Sequence, residues 1–472
     1  MNLRRIIYGT MMGSILLASS SCDKLEDFGN MNRNPNQTTE PVPAALLTNV
    51  IAGMGNNLVW DQGGVSTAAG LYAQLFSETQ YTETSRYDKP NYQFDGYYTG
   101  PLYDLQNILS YGGSTNNQKV VARILKAHYF KFITDAWGDV PYTTALRGDL
   151  GTNAYDKQQE IYPKLIAELK DAVDKFDNSS LQGDILFGGN VTRWRKYANS
   201  LRLLMALQMS KSNATLGNTE FNAALTHSAG VIETNADNVT VQYPGGNFPN
   251  PVYNYYELVK RSDYAVSKVV TDRLSATADP RLTAYASNST GFPYGLTRDQ
   301  ATAFNNSVGG NWARVLAPSH RQANSPVVII GAANIWLARA EAAQRGWTSE
   351  NVANAYQTGL QRSMEQWGVY SASSFSTFMS NVALTAGNEL QQIATQEWMT
   401  WFPNGLEAFN VWRRTGFPAL TPAPGTSTGI PRRFPYGANE YALNPTNVAA
   451  AAALYTVGGS PDSRFARVWW DQ

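Results

Sequence analysis

Six aromatic residues in two irregular stretches are the strongest candidates for chemistry in this chain. Tyr81, Tyr87, Tyr92 and Tyr98 lie within 79–103, among Thr, Ser, Asp, Asn and Gly, with no helical period. Tyr294 and Trp312 lie in a second irregular stretch after Asp279. Asn91, Asn250 and Arg314 are the polar candidates that accompany them. Tyr and Trp each combine an apolar body with a polar tip, so they serve equally as core or as flat recognition surface. A loop region this long is functional or disordered, and its aromatic content argues against disorder. For each residue the competing reading is packing of its loop onto the helices, and both readings stand at this point.

Other chemistries find less support. The three histidines, at 128, 227 and 320, have no ligand spacing such as HExxH, and the single Cys allows neither a disulfide framework nor a thiolate cluster. No GxGxxG follows a strand-like run. No metal, cofactor or catalytic residue is therefore expected. Lys+Arg and Asp+Glu both number 37, so no basic field exists to attract nucleic acid. The pairs Arg413-Arg414 and Arg432-Arg433 could clamp an anion, but pairing with carboxylates or helix C-termini is the stronger reading. His128 sits on an apolar face and reads as a satisfied core residue. Asp139 reads as holding its turn through its own backbone.

The elements that must carry these loops show in the apolar spacing. Within 119–146, Val121, Ile124, Leu125, His128, Tyr129, Phe132, Ile133, Ala136 and Trp137 recur at i, i+3, i+4 and i+7, which predicts a helix with one broad buried face. Thr115 and Gln118 offer a capping box at its start, and Gly138 and Pro141 stop it. Asp156 and Gln159 signal a second helix, Thr192 opens a third, and 221–232 is a fourth candidate. Helical spacing also covers 256–274, 327–345, 350–367 and 389–402, and 44–76 in at least two pieces. Trp137, Trp194, Trp336, Trp398 and Trp401 fall on these faces and read as core. No strand-rich block is visible. Helix pairs at roughly 35-residue spacing are what tetratricopeptide-type solenoids use, although their consensus residues are not seen here. The fold class expected is mainly all-α, in stacked helix pairs with long irregular loops.

The N-terminus reads as a secretory signal over 1–21: Arg4 and Arg5, a short apolar stretch over 6–17, then Leu17-Ala18-Ser19-Ser20-Ser21-Cys22. Removing it takes away two arginines and no acid, leaving a slightly acidic chain. A small-residue run ending on the only Cys resembles a bacterial lipobox, although strict forms carry an apolar residue where Ser19 stands. Cys22 would then be acylated, with each buried methylene contributing ~0.8 kcal/mol to membrane attachment. Asp23, Glu26 and Asp27 resemble the acidic surface-export signal of Bacteroidetes lipoproteins.

Several further segments match one family in the right order. They are Asn34-Pro35-Asn36, HYFKFITDAWGDVPYTTAL (128–146), RWRKYANSLRLLMALQMS (193–210), Asp279-Pro280-Arg281, SPVVIIGAANIWLARAEAAQRGW (325–347), ATQEWMTWFPNGLEAFNVWRRTGFP (394–418) and RRFPYGANEYALN (432–444). With the lipobox, they resemble the SusD/RagB family of outer-membrane nutrient-binding lipoproteins, most closely its SusD-like lipoprotein branch. One departure is Asn334, near which the family often carries an acid. The resemblance implies a signal peptide (1–21), a lipid-anchored tether (22–43) and a single helical domain (44–472). Within that domain, 241–325 would be a loop-rich insertion and 415–472 a loop-rich tail. It also implies a surface-exposed, non-enzymatic protein that binds an oligosaccharide and delivers it to a SusC-like TonB-dependent transporter. A peptide ligand and a helical glycoside hydrolase with two paired carboxylates are the alternatives. For a sugar, the loop aromatics would supply flat faces and the amides and Arg314 the hydroxyl partners.

Overall fold

The computed structural model describes residues 40–88, 91–148, 152–426 and 429–472. The secretory segment, Cys22, the acidic cluster and Asn34-Pro35-Asn36 lie outside them. From Pro43 onward the chain forms one contact unit. It begins with α1 (Pro43–Met54), a π-helical turn (Gly55–Val59) and α2 (Val65–Tyr72). Strand β1 (Phe76–Glu78) opens the first aromatic loop, which ends in a second π-turn (Tyr98–Leu102) and α3 (Tyr103–Ser110). Four long helices follow: α4 (Asn116–Trp137), α5 (Gln158–Val173), α6 (Val191–Gln208) and α7 (Ala214–Leu225).

The middle of the chain is less regular. It holds β2 (Val239–Val241), a third π-turn (Asn254–Leu258), β3 (Tyr264–Val266), α8 (Lys268–Ala276), α9 (Arg298–Ser307) and β4 (Val327–Ile330). Helices return as α10 (Ala332–Gln344), α11 (Val352–Gln366), α12 (Ala372–Val382), α13 (Glu389–Thr400), α14 (Gly405–Thr415) and α15 (Pro445–Ala453). Each of α4–α5, α6–α7, α10–α11 and α13–α14 packs as a consecutive pair, and α5 on α6, α6 on α10 and α10 on α13 link the pairs into a stack. The fold is mainly helical, as expected.

Helix α4 forms where the spacing predicts it. Thr115 Oγ1 accepts the Gln118 N–H at 3.1 Å, and Gln118 Oε1 accepts the Thr115 N–H at 3.0 Å, closing the capping box. Gly138 ends the helix at φ 90°, and a Cβ there would stand 2.2 Å from the Tyr455 hydroxyl. The burial differs from the single face expected. Lys131 and Asp135 are buried as well, because α14 and the C-terminal segment cover the second side. Lys131 Nζ donates to Asp135 at 2.9 Å and to Glu407 at 2.6 Å, so the two charges are paired where they are desolvated. Helices α2 and α14 cross at Gly70 and Gly405. A Cβ on Gly405 would lie 2.0 Å from the Ser66 carbonyl oxygen, so only glycine permits this approach.

Three predicted elements differ. The helix expected over 256–274 divides into a π-turn, β3 and α8. Tyr264, Ala265 and Val266 pair antiparallel with Glu78, Ser77 and Phe76, and the sheet outweighs the helical spacing. The helix expected from Val327 starts only at Ala332, since Val327–Ile330 pairs with Val239–Val241. Asp156 does not cap α5. Its carboxylate accepts the Tyr142 and Thr143 N–H groups at 2.9 and 2.8 Å, tying the corner after Gly138 to the start of α5. Asp139 also reaches beyond its own turn, accepting the Gln158 N–H at 2.8 Å and the Tyr455 hydroxyl at 2.9 Å. His128 is a satisfied core residue as read: its Nδ1 lies 2.5 Å from the Tyr197 hydroxyl, and burial lowers its pKa to about 3.

Candidate functional site: an aromatic platform and a groove

The two aromatic stretches meet. The β1–β3 pairing sets β1 beside the segment that leads to the second stretch, and Ser77 Oγ donates to the Phe292 carbonyl within it at 2.9 Å. Arg86 Nη1 donates to the carbonyls of Gly295 (2.9 Å) and Pro424 (3.0 Å), which adds the C-terminal tail to the junction. Four of the candidate residues are spent on making this junction. Tyr87 is buried and its hydroxyl accepts the Ala423 N–H at 3.0 Å. Tyr92 is buried against Phe434, ring centroids 5.0 Å apart. Trp312 packs on Phe292 and donates through Nε1 to Asn305 Oδ1 at 2.9 Å. Asn250 caps a short turn by accepting the Val252 and Tyr253 N–H groups, and its amide donates to the Ser325 carbonyl at 2.9 Å. These four are buried, and their contacts are packing and hydrogen bonds within the protein.

The remaining candidates are accessible. Tyr81 is 46% exposed, and the guanidinium carbons of Arg261 and Arg298 lie 5.7 and 5.8 Å from its ring centroid. Asp263 holds this arrangement, accepting Arg261 Nε at 2.6 Å and the Gln80 side-chain amide. The result is a ring flanked by two guanidinium groups, of which Arg261 is held in place by Asp263. Asn91 is exposed, and its Oδ1 accepts the Ala438 N–H at 3.1 Å. Tyr294 is half-buried beside Tyr87. Arg314 covers the outer side of Trp312, its guanidinium 4.7 Å from the indole centroid.

Tyr98 leads to a second feature. It is half-buried, and its hydroxyl donates to the Pro141 carbonyl at 2.5 Å. Beside it runs a groove of about 690 Å³ lined by Phe94, Tyr98, Tyr103, Leu146 and Leu443, with Gln106, Asn107, Asn153 and Asn444 as amides and Asp95, Arg147 and Glu440 as charges. Tyr103, at the start of α3, is 56% exposed. The π-turn Tyr98–Leu102, where Gly100 takes φ −104°, ψ −108°, sets the angle between the two tyrosines. Such turns recur at functional positions in helices. In the sequence Tyr103 is the last residue of the first aromatic loop. A bulky aromatic on the first turn of a short helix, followed by Gln106 and Asn107, was the available signal.

Both features can hold a polar ring-shaped molecule: aromatic faces for its apolar side, amides and guanidinium groups for its hydroxyls. The carboxylates Glu341 and Glu397 form a different kind of centre. Both are buried, and Arg414 donates to each, to Glu397 at 2.8 Å. Burial and the neighbouring Glu341 raise the pKa of Glu397, while Arg414 and Arg345 hold that of Glu341 down at about 2. The space beside them is about 20 Å³, room for a water and not for a sugar. Arg432 and Arg433 likewise pair with Asp471 and Asp462, and Arg413 donates to the Asp135 carbonyl at 2.7 Å. Among the described residues no group of three or more His, Cys, Asp or Glu could hold a metal ion.

A family model described as starch-binding, associating with the outer membrane, matches residues 35–437. The chain belongs to the SusD-like family. This is a family of carbohydrate-binding proteins associated with the outer membrane, and no described helix of the chain is long and apolar enough to cross a membrane. Solved structures agree. A chitin-binding protein is 27% identical with a TM-score of 0.76, covering 91% of this chain and 100% of its own. A chitin-binding SusD homologue from Flavobacterium johnsoniae is 24% identical with a TM-score of 0.76, covering 90% of this chain and 98% of its own. A SusD homologue from Bacteroides uniformis is 23% identical, also at 0.76, covering 90% and 99%. No curated protein matches the chain by sequence.

Proposed function

We propose that this protein captures an oligosaccharide at the cell surface and passes it to a SusC-like TonB-dependent transporter, held at the outer membrane by acylated Cys22. The observation that carries the ligand class is the groove beside Tyr103: that exposed ring with half-buried Tyr98, four uncharged amides, and Arg147 among the carboxylates of Asp95 and Glu440. That lining suits a neutral, hydroxyl-rich chain better than an ion. The Tyr81 platform, with Arg261 and Arg298 beside the ring, is the second contact region. Family membership and the chitin-binding description of two similar structures favour a glycan over a peptide. The protein acts by binding and not by catalysis. Its paired carboxylates, Glu341 and Glu397, are buried around Arg414, which is the setting of a structural ion pair.

Calorimetric titration of the purified protein with chito-, malto- and cello-oligosaccharides tests this. One series should bind saturably, and Tyr103→Ala should weaken that binding about tenfold, equivalent to ~1.4 kcal/mol, with unchanged thermal stability. Binding of peptides and of none of the glycans would overturn the reading. Co-purification with the transporter, lost when Cys22 and the residues before it are deleted but restored by a different lipid anchor, checks the membrane arrangement.

A further inference from the structure

A second hollow adjoins the groove: the two share Gln106, Ser110, Ala145, Leu146 and Arg147 as lining residues. It measures about 570 Å³. Helix α4 packs on both α3 and α5, and all three helices contribute to its lining together with the corner after Pro141. Part of the wall is aromatic. The Tyr142 ring stands edge-on to that of Phe130, with centroids 4.8 Å apart.

The charge of this hollow differs from that of the groove. Arg123, Lys126, Arg147 and Lys164 line it, against Glu168 as the one lining carboxylate. Glu168 is already engaged, since Arg123 pairs with it at 2.5 Å and with Asp171 at 2.7 Å. Asp156 lies 3.8 Å from Lys164 Nζ, but its oxygens serve the Tyr142 and Thr143 N–H groups. Lys164 Nζ donates to Thr143 Oγ1 at 3.2 Å and Arg147 Nη2 to the Thr143 carbonyl at 2.9 Å, so two cationic heads meet at one lining residue.

Lys126 stands where the hollow meets the groove. Its Nζ donates to Gln106 Oε1 at 2.8 Å and lies 5.9 Å from the Phe130 ring centroid, and Gln106 Nε2 donates on to Ser110 Oγ at 2.9 Å. Gln106 and Ser110 line both spaces, so the ammonium is placed by residues of the lining itself. Elsewhere in the fold Lys131, Arg202, Arg281 and Arg414 each meet a carboxylate. Half-buried Lys126 meets only a neutral amide among the described residues, which uses one of its three N–H donors. Burial lowers its pKa, with Glu168 opposing that from further away. A desolvated cation of this kind is stabilised by an anion that brings charge-assisted hydrogen bonds.

We propose that this hollow receives an anionic group, a carboxylate or a sulfate, on one unit of the oligosaccharide whose other units lie in the groove, with Lys126, Lys164 and Arg147 as its donors. The inference rests on glycan capture at the groove and narrows its ligand: a chain neutral over most of its length and acidic at one unit.

The test is calorimetric titration of the protein with cello-, malto- and chitotetraose in three forms: unmodified, with C6 of an end unit oxidised to a carboxylate, and with that C6 sulfated. In one series a charged form should bind about tenfold more tightly than the unmodified chain, the equivalent of one charge-assisted hydrogen bond. Whichever charged form gains more identifies the group. The preference should shrink as sodium chloride rises from about 0.05 to about 0.5 M. In Lys126→Met the ratio of charged to unmodified affinity should fall close to one. If that variant does not fold, Lys164→Gln, whose side chain is 47% exposed in the native protein, replaces it and should cut the ratio about threefold. Unmodified chains binding as tightly as charged ones would overturn this inference and leave glycan capture standing. A ratio unchanged in the variant overturns it too, as does sodium sulfate alone binding as tightly as the sulfated chain. If no form in any series binds, glycan capture falls and this inference falls with it.

Discussion

Glu78 should make the first aromatic loop sensitive to pH in the neutral range. It sits in β1, 5% exposed, and its Oε2 accepts the Ser85 N–H and the Ser85 hydroxyl, both at 2.8 Å. These two bonds fold 79–88, the segment that presents Tyr81, back onto the strand. Burial outweighs them and raises the Glu78 pKa from 4.5 to about 7. The folded protein therefore binds this proton more tightly than the unfolded chain does. The stability it contributes is fully present below about pH 4.5, declines as pH rises, and is lost above about pH 7. At roughly 1.4 kcal/mol per pH unit, the span is worth ~3 kcal/mol. Glu78→Gln keeps the shape and the acceptor for Ser85 but cannot ionise. Urea unfolding of both proteins from pH 4.5 to 8 should show near-equal stability at the acid end. At pH 8 the variant should be more stable by ~1–3 kcal/mol. Hydrogen exchange at the Ser85 and Tyr87 amides should follow the same curve. A constant difference between the two proteins across this range would refute the reasoning, because the remaining titrating groups are common to both.

Three other outcomes follow from burial and pairing. Phe132→Ala and Trp312→Ala should each cost ~3–5 kcal/mol in urea unfolding, whereas Tyr81→Ala should stay within about 0.5 kcal/mol and lower glycan affinity instead. Arg414→Met should cost ~3–5 kcal/mol by leaving Glu341 buried with only Arg345 as its cation, and adding Glu341→Gln should recover part of that loss in the double variant. Trp470→Phe removes the indole donor that reaches Asp135 at 3.0 Å, and should lower stability by ~1–3 kcal/mol in the same assay.

The long helices were legible because their determinants are local. The Thr115–Gln118 box, the 3.6-residue spacing and the Gly138 stop all act within a few residues, and α4 forms where they place it. What was not legible depends on partners far along the chain. Tyr264 to Val266 has helical spacing on both sides, yet it pairs with Phe76 to Glu78, nearly two hundred residues earlier. The site divides in the same way. That the two loops carry aromatics is plain in the sequence, but Tyr81 and Tyr87 have similar neighbours in it. Partners from far along the chain, the Ala423 N–H and Arg464 among them, turn Tyr87 inward. The groove at Tyr103 needs α3, the corner after Pro141 and residues 440–444 together, and no local pattern announces such a meeting.

Asp135 carries a consequence for the order in which this chain can complete itself. Its carboxylate receives Lys131 from its own helix, Tyr162 from the next, Asn410 from α14 and Trp470 from 335 residues away. A nascent chain emerging from its N-terminal end would meet the first two donors early and the last two only after most of its length is out. Until then, closing the apolar shell around α4 would strand a partly solvated carboxylate in it. The helix that is easiest to form is thus the hardest to seal, because its last turn is complete only when donors from the end of the chain have arrived.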